Sequence, residues 1–168
     1  MVSTHTLFEW LVGLHIATGS VGLIVVWIPI AGRKGGELHR RAGTLFVQSM
    51  IATGFTAVAI SITTLSDPTG THPHLAAHPI FEDPQAIINI FGWMMLYLAT
   101  LTVNLAWQGW LSLRNGRDHL RNRVWHNLLS QVLLTIVSTN CFVRGALATE
   151  PMMMGISMVG FATVATNL

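Results

Sequence analysis

The sequence predicts an all-α, polytopic transmembrane bundle of four to five helices, forming one domain over residues 1–168. Three observations carry this expectation. Hydrophobic residues make up 51% of the chain and charged residues 10%, where a soluble domain carries about 25% charged. The first two apolar runs each exceed the roughly 20 residues that a helix needs to cross a bilayer. Finally, eight of the nine Lys and Arg residues fall in two short segments, 33–41 and 114–123. Such clustering marks cytoplasmic turns under the positive-inside rule, so the net charge of +2 reflects orientation and excludes nucleic acid as the partner.

The first helix is expected at about 6–30, with Glu9 and His15 as its readily ionised groups. Gly13 and Ala17 lie four apart, as do Thr18 and Gly22, and small residues at that spacing let a second backbone approach closely. Trp10 and Trp27 stand where the two interfaces belong, and Pro29 helps to end the helix. No Lys or Arg precedes the apolar run, so it reads as a retained helix with its N-terminus outside.

A glycine-rich basic turn over 31–43 follows, carrying Arg33, Lys34, Arg40 and Arg41, with Gly35-Gly36 allowing it to fold back. The second helix, about 44–65, contains no ionised side chain. Its i, i+4 ladder of Ser49, Thr53, Ala57 and Ser61 predicts a packing face against the first helix. Residues 67–85 hold four prolines, the acids Asp67, Glu82 and Asp83, three histidines and no Lys or Arg. Proline rules out a regular helix there, and the lack of basic residues places the connection outside.

The third helix, about 86–113, is rich in large side chains, with Trp107 and Trp110 at its inner interface. The second basic turn carries Arg114, Arg117, Arg121 and Arg123. The fourth helix follows at about 124–147, and Pro151 suits the first turn of a fifth, at about 152–168, which would leave the C-terminus inside. Gln48, Asn89, Asn104, Gln131 and Asn140 need partners in lipid and are expected to face the bundle interior.

Candidate chemistry centres on histidine. His15, inside the first helix and on the face of Gly19 and Gly22, can ligate a haem b iron beside a glycine-lined groove; the ordinary alternative is an interhelical hydrogen bond. His39 and His126 stand at the cytoplasmic starts of two helices. They can hold one haem near the inner face, with Arg40, Arg41 and Arg123 on its propionates, or they are interfacial residues among lipid headgroups. His72, His74 and His78 present three imidazoles within seven residues, a set that suits zinc or copper. Arg33, Lys34, Arg40, Arg41, Arg114, Arg117, Arg121 and Arg123 are expected to contact lipid headgroups and set topology. The single cysteine, Cys141, can form no internal disulfide.

The pattern of His15, Gly19, Lys34-Gly35-Gly36 and His39-Arg40-Arg41-x-Gly43 resembles a family of predicted bacterial multi-pass membrane proteins of unknown function. The resemblance covers residues 14–50 and implies no activity or cofactor. It marks His15, Lys34, Gly35, Gly36, His39, Arg40 and Gly43 as the positions matching the recurring pattern. The resulting expectation is a non-catalytic protein of a bacterial inner membrane, an accessory or structural subunit that meets lipids and other membrane subunits. The alternative is a small b-type haem electron carrier.

Overall fold

The computed structural model describes residues 3–75, 81, 83–115 and 125–167. Described residues form helices and connections without strands, and four helical stretches are long and apolar enough to span a membrane: Thr4–Ala31, Glu37–Ser66, Pro84–Asn115 and Trp125–Leu147. The protein is thus an all-α, multi-pass helical bundle.

The first stretch divides into α1 (Thr4–Val25) and α2 (Trp27–Ala31). Pro29 causes the division, because it cannot donate to the Val25 carbonyl and its ring crowds that oxygen. At the other end, the Ser3 hydroxyl caps α1 by accepting from the Thr6 N–H at 3.1 Å.

Helix α3 (Glu37–Ser66) starts seven residues before the expected position. Gly36 is extended at its N-cap, and Glu37 places a negative charge in the first turn, where the helix dipole favours it. Arg41, one turn later, pairs with Glu37. The basic turn therefore shrinks to 32–36, with Gly35 at φ 80° making the reversal that an L side chain would resist. His39, Arg40 and Arg41 ride on the helix instead.

The connection after α3 contains one helical turn, α4 (Pro68–Thr71), and the next stretch opens with α5 (Pro84–Ile87). Both begin with Asp-Pro. Asp67 accepts from the Gly70 N–H at 2.9 Å and Asp83 from the Gln85 N–H at 2.8 Å, while proline suits the first position, whose N–H is unused. The prolines expected only to prevent helix thus also start two short ones. From α5 the chain passes through a π-helical segment, Ile88–Met94, into α6 (Met95–Asn115). Helix α7 (Trp125–Leu147) and α8 (Pro151–Asn167) form an antiparallel hairpin. At 17 residues, α8 is about 25 Å long, somewhat less than the roughly 30 Å hydrocarbon core.

Helix α3 is the common support, packing against α1 on one side and α6 on another. The predicted small-residue face is the α1 seam: Ser49 and Thr53 are buried, and a Cβ on Gly22 would lie 3.0 Å from Ser49 Oγ. Gly54 faces α6 so closely that a Cβ would overlap Val103 and stand 3.4 Å from the Ala99 carbonyl oxygen. Gln48 differs from expectation. It is exposed with Leu45, Phe55 and Ile62, because its neighbours Val47 and Ser49 take the buried faces of the helix. Asn89, Asn104 and Gln131 are buried as expected. A second core, with Tyr97, Leu134, Cys141 and Met153, joins α6, α7 and α8. There the Tyr97 hydroxyl donates to the Ile156 carbonyl at 2.6 Å.

Gly54→Ala is expected to lower the thermal midpoint of the detergent-purified protein, because a β-branched valine has little rotamer freedom with which to yield in a helix. Gly13, with open space at its Cβ, should accept alanine without loss. Parallel melts of the two variants check this contrast.

Candidate functional site

His15 is held by α3. Its Nδ1 lies 3.1 Å from the Thr53 carbonyl oxygen and 3.3 Å from Thr56 Oγ1. A carbonyl can only accept, so Nδ1 carries the proton; the Thr56 hydroxyl already donates to the same carbonyl at 2.8 Å and accepts from the imidazole. Nε2 is then left with the lone pair. Thr18 and Thr53 hydroxyls meet at 3.0 Å one turn further along the seam. Each such bond between membrane helices contributes about 0.6 kcal/mol.

His72 is fixed in the same way from the connection. The Thr71 hydroxyl lies 2.8 Å from the Asp67 carbonyl oxygen, to which it donates, and 3.0 Å from His72 Nδ1. It therefore accepts from Nδ1–H, and Nε2 again keeps the lone pair. The ring is buried between Phe8 and Phe91, with centroids 4.9 and 4.7 Å away. Burial, with a smaller contribution from His74, pushes the His72 pKa below the usual histidine value.

Both rings line one cavity of about 390 Å³, whose floor is α3 from Gly54 to Thr64 and whose far wall includes Met95 and Leu98. Thr64 is fully buried there, and its hydroxyl has no hydrogen-bond partner among the described residues. The two imidazoles stand at different depths. His72 is level with Phe8, and seven helical residues from Phe8 to His15 rise about 10 Å.

The other histidines are dispersed. His39 lines a cavity of about 370 Å³ at the basic end with Arg40, Trp110 and Arg114, and its buried Nδ1 lacks a partner among the described residues. His126 is exposed, lies edge-on to Trp107 and Trp125 at centroid distances of 6.0 and 5.7 Å, and lines a different cavity with Asn104 and Ser130. The structure thus sets His39 and His126 on separate cavities. His74 lies 6.2 Å from His72, centroid to centroid. Among the described residues no group of three or more His, Cys, Asp or Glu side chains could hold a metal ion. Arg33, Lys34 and Arg41 are exposed. His78, Arg117, Arg121 and Arg123 lie outside the described residues.

One cluster was not read from the sequence. Arg144 stacks over the Trp93 ring at 4.4 Å, donates to Asn140 Oδ1 at 3.0 Å and reaches Asn89 Oδ1 at 3.4 Å. Asn89 and Trp93 both belong to the π-helical segment. A signal was present: Arg144 is the one Lys or Arg outside the two basic segments. A guanidinium near a helix end needs amide oxygens or an aromatic face to replace water.

No protein-family model, curated protein or solved structure matches the chain.

The lowered His72 pKa gives a signed pH dependence. Above about pH 6.5 the ring is neutral both folded and unfolded; as the pH falls below that value, the unfolded chain takes up the proton first and folded stability declines. The thermal midpoint should therefore drop between pH 7 and pH 5, and His72→Phe should flatten that drop.

Proposed function

We propose that this chain is a non-catalytic, multi-pass component of a bacterial inner membrane, an accessory or structural subunit of a larger membrane complex of the bioenergetic class. One observation supports this reading most. Helix α1 carries two small-residue faces: Gly19 and Gly22 pack on α3, while Gly13, Ala17 and Ser20 are exposed, with nothing within 4 Å of a Gly13 Cβ. Lipid chains provide no hydrophobic drive for helix association, so membrane helices associate where small residues let backbones come close. Exposed Trp10 and Trp27 bracket this face near the two ends of the first stretch. The basic end faces the cytoplasm in this reading, where Arg33, Lys34, Arg40 and Arg114 each gain about 1 kcal/mol near anionic headgroups.

Gentle extraction followed by native mass measurement tests the proposal. The expected result is a stable assembly with a partner protein that Gly13→Leu and Ala17→Leu weaken. A clean monomer under conditions that preserve other membrane complexes would count against it.

A second reading, a b-type haem carrier, is favoured by His15, whose anchored Nδ1 leaves Nε2 ready for an iron. His72 does not supply a partner at matching depth, so the second axial ligand would have to come from elsewhere. Protein purified from haem-replete cells should then be red, with a Soret band that His15→Ala removes. A colourless preparation eliminates this reading.

A further inference from the structure

The cavity shared by His15 and His72 lies between helices that belong to three different spans. Helices α1 and α6 both pack on α3 and both line the cavity, with few contacts to each other among the described residues. Entry between these two helices would bring a molecule dissolved in the membrane to both imidazoles without crossing water.

The polar groups inside select its chemistry. Both imidazoles have spent Nδ1–H on α3 or α4, so each can offer Nε2 as an acceptor. Thr64, two to three helical turns beyond Thr53 and Thr56 on α3, belongs to the His72 end and keeps an unused hydroxyl. No charged side chain lines the cavity among the described residues, which leaves an ionic ligand uncompensated. Two acceptors separated by about 10 Å along α1 call for a neutral molecule with O–H donors at opposite ends. The rings of Phe8 and Phe91, which line the cavity at the His72 end, favour a flat aromatic ring next to that imidazole.

We infer that the cleft binds a membrane-dissolved hydroquinone, donating one hydroxyl to His15 Nε2 and the other to His72 Nε2. The second hydroxyl oxygen also accepts from Thr64, which gives that buried group its partner. The apolar tail of such a molecule leaves through the gap between α1 and α6. This binding is independent of membership in a larger complex, so the purified chain alone can test it.

The experiment uses the full chain in lipid nanodiscs and calorimetric titration with decyl-hydroquinone, its dimethyl ether and the matching decyl-quinone. The ether and the quinone keep the shape and the tail but have no O–H to donate. The expected result is one-to-one binding of the hydroquinone, at least about tenfold tighter than either analogue, with His72→Phe and Thr64→Val each weakening it about tenfold. Equal binding of the dimethyl ether or of the quinone overturns the inference, as does unchanged hydroquinone affinity in both variants. Should a variant fail to fold, the comparison of the three probes on the unaltered chain still decides.

Discussion

Where no water is present, a carbonyl that attracts more donors than its own helix supplies becomes a fixed point, and the Thr53 carbonyl is such a point. It accepts from Thr56 on its own helix and from His15 on α1, while the Thr53 hydroxyl meets Thr18. The α1–α3 seam is thereby fixed in register as well as in distance. The tautomer of His15, and with it the atom presented to the cavity, follows from this one acceptor.

The remaining packing follows from α3 serving two partners. Gly22 lets α1 close on Ser49, and Gly54 lets α6 close on the adjacent face. Two helices pressed onto neighbouring faces of a third diverge from each other, so a cleft between α1 and α6 results from good packing on both sides. The connection above α3 then roofs the cleft by inserting His72 between Phe8 and Phe91. The stability of this roof rests on local devices: Asp67 caps α4, and the Thr71 hydroxyl links the cap to the imidazole.

Much of the bundle was legible because hydropathy and small-residue spacing act at the level of whole helices. In the ladder of Ser49, Thr53, Ala57 and Ser61 three members are buried and Ala57 is half-buried, and Pro151 marked the start of α8. What escaped was local competition. Gly36 and Glu37 form a helix start that charge clustering disguised as a loop, and Pro29 interrupts a helix that it was expected only to end. His72 looked like one of three equivalent loop histidines; only three-dimensional packing separates it from His74 and brings it to the cavity of His15. No spacing rule in one chain connects positions 15, 64 and 72, because a ring, a helix and a loop from different segments must converge.

The π-helical segment Ile88–Met94 has a consequence for how this helix tolerates change in length. A π turn holds about one residue more than an α turn, so the stretch stores surplus chain between α5 and α6. Deleting one residue within it would let the backbone relax to ordinary α geometry while α5 and α6 keep the faces they present to their neighbours. The cost would fall on Asn89 and Trp93, which the wider turn holds beside Arg144. The segment is thus a tolerated insertion whose retention ties the length of the third span to the accommodation of a single cation.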